Sequence, residues 1–181
     1  MAQLSDIEEV KMYRKCVWFM LIGVFFLLGY SQKTTSVKKE VDTKTILFQQ
    51  AIFTATPSSR KVLQKAYELS FVKKVVVKGS CWDYINMIYT KAGFPAKRRK
   101  IVFKGKKRGP FAKAELIQPG DWLYFVNYSY YKVGHTGLFI GWVDLQKRLA
   151  FILSYVGQRR SIPARYKVYD ISSVYYIQIA Q

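Results

Sequence analysis

The period of the apolar residues changes once along this chain, and that change limits the fold more than any other feature. Between residues 57 and 92, apolar side chains recur at helical spacing. Val62, Leu63, Ala66 and Leu69 form one stripe, and Trp82, Ile85, Ile88, Tyr89 and Ala92 form another. Beyond residue 120 the runs 122–128, 137–143, 148–155 and 174–179 are rich in β-branched and aromatic residues. Turn signals at 119–121 and 144–147 separate them. Helices first and closely spaced strands afterwards predict an α+β chain with an antiparallel sheet. Residues 45–53 read as a short helix, Ser58 or Ser59 as the cap of the next, and 73–78 as a strand or an extended lead-in. Gly93 is expected to stop the helix that starts at Cys81.

The N-terminus obeys a different rule. Residues 17–30 are apolar throughout and follow Lys11, Arg14 and Lys15. A membrane-spanning helix needs about 20 apolar residues, whereas the core of an export signal needs about 7–15. The run therefore predicts export, with Gly29 and Ser31 as small residues before a cleavage after Ser31, or retention as a membrane anchor through 16–30. Cys16 precedes the apolar run, which does not fit a lipid-modified cysteine. The expected organisation is a signal or anchor at 1–31, a linker with a short helix at 32–56, and one folded domain at 57–181.

Thirty Lys and Arg against 11 Asp and Glu give a net charge of +19. Lys11, Arg14 and Lys15 cancel Asp6, Glu8 and Glu9, so removing the signal leaves that charge intact. It is densest at 97–108, where Lys97, Arg98, Arg99, Lys100, Lys104, Lys106, Lys107 and Arg108 occur without an acid. This segment reads either as a solvated loop or as a basic insertion that binds an anionic surface. For an exported chain the matching partner is an anionic envelope polymer, or the carboxylates of peptidoglycan stems. Nucleic acid suits the charge equally, but export argues against it.

Two cysteines cannot build a disulfide framework, and one histidine argues against a His-rich metal site. No metal-ligand spacing or Gly-rich phosphate loop occurs, so neither a metal nor a cofactor is expected. After signal removal Cys81 is the lone thiol, either an inert core residue or a reactive one. Its place in the first turn of a helix, after Gly79 and Ser80, favours the thiolate through free N–H groups and the helix dipole. His135, in Gly-His-Thr-Gly at the start of a strand, is the one imidazole and hence the candidate base. Asp83 suits the positive end of the Cys81 helix, and Asp121 reads as a turn cap. Tyr128, Tyr130 and Tyr131 precede His135 and either wall a groove or serve the strands.

The blocks Gly-Ser-Cys-Trp-Asp-Tyr-Ile (79–85), Ile-Tyr-Thr-Lys-Ala-Gly-Phe (88–94), Leu-Ile-Gln-Pro-Gly-Asp-Trp-Leu-Tyr-Phe (116–125) and Gly-His-Thr-Gly-Leu-Phe-Ile-Gly (134–141) together resemble the NlpC-type and CHAP-type cell-wall cysteine hydrolases. The likeness covers about 70–181. It implies a reduced papain-like fold, with the Cys81 helix packed on an antiparallel sheet and His135 on a neighbouring strand. It also implies cleavage of a peptide or amide bond of peptidoglycan through a thioester on Cys81, with His135 moving the proton. Trp82, Tyr130 and Tyr131 would then face substrate. Such families orient the histidine with a polar residue on the next strand, where this chain offers Ser154, or Leu153 at another alignment. The short approach Lys-Gly-Ser-Cys is closer to the CHAP type. A second reading is a basic envelope protein that binds anionic polymer on the same scaffold without turnover.

Overall fold

The computed structural model describes residues 45–157 and 161–181. The 1–31 signal or anchor and the 32–44 part of the linker lie outside the described residues. Helix α1 spans 45–54, α2 spans Pro57–Tyr67 and α3 spans Cys81–Lys91. Six strands follow: β1 (Arg99–Lys104), β2 (Trp122–Asn127), β3 (Val133–Asp144), β4 (Leu149–Ser154), β5 (Arg165–Asp170) and β6 (Val174–Ala180). They form one antiparallel sheet in the order β1-β6-β2-β3-β4-β5. The chain is therefore α+β, with three helices packed against a six-stranded antiparallel sheet.

Alternation along the central strands divides the apolar side chains between two faces. Trp122, Leu138, Ile140, Phe151, Leu153 and Tyr155 meet the helical stripes of Val62, Leu63 and Ala66 from α2 and Tyr84, Ile85, Ile88 and Tyr89 from α3. Leu123, Phe125, Phe139, Ile152, Val174 and Ile177 line the other face, covered by Ala112, Ile117 and Ile171. The first expected stripe is thus buried, and so are Ile85, Ile88 and Tyr89 of the second, whereas Trp82 is exposed and Ala92 half-buried.

Several boundaries differ from expectation. The N-cap of α2 is Thr56, whose side chain accepts from Ser59 N–H, with Pro57 opening the helix. Ser58 and Ser59 lie inside it, because proline already satisfies the first helical position. Residues 74–77 form no regular element and do not join the sheet, and Lys74 has φ +48°. Helix α1 is the short helix expected at 45–53, and it buries Ala51 and packs Leu47, Phe48 and Ile52 on the core. The compact unit begins at Thr45 rather than at 57.

The largest correction concerns 97–108. It is a solvated loop only in part, at 105–108. Its centre is β1, an edge strand paired with β6 from Arg99↔Ala180 to Lys104↔Tyr176. Strand β5, also unanticipated, forms the opposite edge. Lysines on both outer strands suit a role that sequence alone did not suggest: charged edges resist pairing with another chain.

Arg99 departs furthest from an anion-binding role. Its guanidinium donates to Phe94 O at 2.7 Å, Asn86 Oδ1 at 2.8 Å and Thr90 Oγ1 at 3.0 Å. It also lies over the rings of Tyr89 and Trp122, 5.3 and 5.4 Å from their centroids. One arginine thus ties β1 to α3 and its C-terminal cap. Arg98 donates to Gly93 O at 3.1 Å and stacks over Phe94. Lys97, Lys100, Lys104, Lys106, Lys107 and Arg108 remain exposed.

Arg99→Ala is expected to lower unfolding stability by about 1.5–3 kcal/mol, the usual scale for hydrogen bonds to a charged group. Lys100→Ala and Lys104→Ala should stay within about 0.5 kcal/mol, as exposed surface changes do. Chemical denaturation of the three variants checks the contrast, and equal effects would remove the structural role given to Arg99.

Candidate active site

The start of α3 is built with unusual local constraint. Ser80 is the N-cap, and its side chain accepts from Trp82 N–H at 3.2 Å. The Asp83 carboxylate reaches back to Ser80 N–H at 2.7 Å and to Ser80 Oγ at 2.8 Å, completing a capping box. Those bonds hold the Asp83 carboxyl below the usual carboxylate range. Gly79 has φ +143°, and a Cβ there would sit 2.4 Å from Asp83 Oδ2, so only glycine permits this closure. Upstream, Val77 exchanges two hydrogen bonds with Tyr155 OH, accepting at 2.8 Å and donating at 3.2 Å. That contact pins the approach to the end of β4. Cys81 follows as the first residue of α3.

Strand β3 places His135 two residues from Gly137, which pairs with Ser154 on β4. Gly137 also has a packing reason to lack a side chain. A Cβ there would meet Ile152 Cγ2 at 2.4 Å and Leu153 O at 2.8 Å. The close approach of β4 lets His135 Nε2 hydrogen-bond Ser154 Oγ at 2.7 Å. Ser154, 4% exposed, is in turn 3.0 Å from Tyr169 OH on β5. The His135 ring packs near Phe125 and Tyr169, with centroids 5.5 and 5.6 Å away. Of the two alignments left open by the sequence, Ser154 is the residue behind the imidazole. Leu153 faces the helix-side core.

Cys81 and His135 line one cavity of about 730 Å³, together with Gly79, Ser80, Asn127, Tyr130, Lys167 and Tyr169. The thiol lies against the backbone N–H of Thr136, the residue that follows His135. Among the described residues no hydrogen bond joins the thiol to the imidazole. Catalytic hydrogen bonds commonly tighten only when substrate is bound. Tyr130 lines the cavity, whereas Tyr131 is 87% exposed and outside its wall. Trp82, 44% exposed, also lies outside it. One residue further round the helix than Cys81, it packs on Trp122 and donates Nε1–H to Tyr124 OH at 2.8 Å.

The electrostatics reverse one expectation. N–H groups of Thr136, Trp82 and Cys81 do favour the thiolate, but burial outweighs them and raises the Cys81 pKa. Burial also lowers the His135 pKa to about 4. Near neutral pH both members of the site are therefore uncharged. Asp121, in the Pro-Gly-Asp turn, caps it by accepting from Gln118 N–H at 2.8 Å, and burial raises its pKa to about 7. It is not a wall residue of the cavity. Groups of His, Cys, Asp and Glu able to hold a metal do not occur among the described residues.

Tyr169 is the site residue that the sequence did not reveal. Strand β5 has charged or polar residues at alternate positions, as an edge strand can, and lacks a continuous apolar run. Its alternation Tyr166-Lys167-Val168-Tyr169 was the available signal.

The single histidine makes the imidazole directly observable. NMR titration should give a His135 midpoint near 4, with the neutral base form present above it and lost as pH falls through it. A midpoint at the ordinary value of about 6.5 would contradict the burial of this ring.

No protein-family model, curated protein or solved structure matches this chain, so the reading of the site rests on its own chemistry.

Proposed function

We propose that this chain is an exported cysteine hydrolase of reduced papain-like fold that cleaves a peptide or amide bond of peptidoglycan. The observation that carries the reading is a thiol at the first turn of α3 and the chain's one imidazole on the wall of the same cavity. The α+β order and the antiparallel sheet support it, as do the four sequence blocks that resemble cell-wall cysteine hydrolases. Export rests on the apolar run 17–30 and its basic flank; no helix among the described residues is long and apolar enough to cross a membrane.

In this mechanism the neutral imidazole acts as general base. Nε2 is engaged by Ser154, which leaves Nδ1 to take the proton from Cys81 as Sγ attacks the carbonyl carbon. The tetrahedral oxyanion is met by backbone N–H groups at the start of α3, with Thr136 N–H beside the sulfur. Collapse breaks the C–N bond, and the imidazolium returns its proton to the leaving nitrogen. Water, deprotonated by His135, then attacks the thioester. The C–S bond breaks to release a carboxylic acid and regenerate the thiol. Ser154 and Tyr169 orient the ring but carry no formal charge, so they stabilise the transient imidazolium less than a carboxylate would.

That uncharged support is the observation that favours a second reading, a basic envelope protein binding anionic polymer without turnover. Purified peptidoglycan separates the two. The wild-type chain should release soluble fragments, and Cys81→Ala and His135→Ala should reduce release by at least about 100-fold, the lower end for general-base catalysis. New amino-acid N-termini would identify an endopeptidase, and intact stem peptides an amidase. Wild type that releases nothing, or a Cys81→Ala variant as active as wild type, ends the hydrolase reading.

A further inference from the structure

The cavity wall holds a single charged side chain among the described residues, and it is a cation. Lys167 lies on β5 opposite Ile152, on the same sheet face as Tyr169 and two residues from it. The rest of the wall is polar and neutral (Ser80, Asn127, Ser129) or apolar (Tyr155, Val156). His135 adds no charge near neutral pH because burial keeps it unprotonated. The ion pairs of the described residues involve Lys65, Lys73 and Lys147, and none of them engages Lys167. Strand β5 is an edge of the sheet, so among the described residues no further strand flanks this lysine.

We propose that Lys167 is a specificity-determining residue that selects substrates carrying a carboxylate beside the scissile carbonyl. This rests on the reading that the Cys81–His135 cavity takes the substrate. Among the described residues Lys167, itself exposed, has no counter-charge, and a cation in a concave, otherwise neutral wall concentrates anions there more than a lysine on a flat surface does. The volume of about 730 Å³ accommodates an acidic segment of a few residues. An anionic group bound at Lys167 would lie in the same chamber as the thiol, which ties charge recognition to positioning for attack.

Alkylation of Cys81 tests the charge preference without requiring turnover. Iodoacetate and iodoacetamide react alike: the sulfur–carbon bond forms, the C–I bond breaks, iodide leaves, and the thiol proton goes to the buffer. They differ in that only the former is an anion. The rate is read on the proteolytic peptide that contains Cys81, separately from Cys16. In Lys167→Gln the ratio of iodoacetate to iodoacetamide rates should fall about 3- to 10-fold relative to wild type, and Lys167→Arg should preserve it. Lys113→Gln, at an exposed position outside the cavity wall, should leave the ratio unchanged. The iodoacetamide rate itself reports whether the site is intact. If Lys167→Gln raises it to the urea-unfolded value, Lys167→Met, which keeps the apolar stem, replaces that variant. An unchanged ratio in the folded variant, or an equal fall in Lys113→Gln, overturns the proposal. Charge-selective alkylation without peptidoglycan cleavage would defeat the hydrolase reading alone. Cleavage without charge selectivity would defeat only the role of Lys167.

Discussion

The Asp83 carboxylate accepts from both the backbone and the hydroxyl of Ser80, and this contact fixes the residue at which α3 begins. The consequences spread from there. With Ser80 as the cap, Cys81 takes the first helical position and the apolar stripe of Tyr84, Ile85, Ile88 and Tyr89 falls on the sheet-facing side. A start one residue later would rotate that stripe by about 100° and separate the thiol from Thr136, since an α-helix has 3.6 residues per turn. Gly79 is required because the carboxylate occupies the space of its missing Cβ. The tether between Val77 and Tyr155 holds the approach in place.

Burial then decides the charge state of the site. A helix N-terminus stabilises an anion by about 0.3–1 kcal/mol at an exposed position. At Cys81 the backbone donors pull in that direction, but desolvation is the larger effect and the thiol stays protonated. Desolvation lowers His135 in the same way. The site thus rests as a neutral pair rather than as the thiolate–imidazolium pair that a strong dipole and a carboxylate partner would favour. Ser154 and Tyr169 match this state, because hydroxyls fix the orientation of a ring without adding charge. Proton transfer is left to the moment of attack.

Sequence reading captured the elements whose apolar period is strong: α2, α3, β2, β3, β4 and β6. It located Cys81 at a helix start, placed His135 on a strand and named Ser154 as its neighbour. It missed both edge strands for one physical reason. An edge strand buries less and tolerates charge, so Arg99–Lys104 read as a basic run and Arg165–Asp170 as no element at all. Tyr169 and Lys167 were missed with β5. Trp82 was expected to face substrate, yet adjacent helical residues point about 100° apart and it lies outside the cavity wall. The direction of the thiol shift was also beyond sequence, because it depends on how deeply the first turn of α3 is covered.

The net charge of +19 divides into parts with different work. Arg99 binds the sheet edge to α3, the exposed lysines of β1 guard an edge, and Lys167 lines the same cavity as the thiol. The central claim concerns the thiol itself, namely that Cys81 forms a thioester with the acyl half of its substrate. Digesting peptidoglycan in the presence of hydroxylamine tests this most directly, since hydroxylamine converts a thioester to a hydroxamate and restores the thiol. The account predicts fragments ending in hydroxamates in proportion to hydroxylamine concentration, and none with Cys81→Ala. Fragments that end only in carboxylates at every hydroxylamine concentration would contradict it.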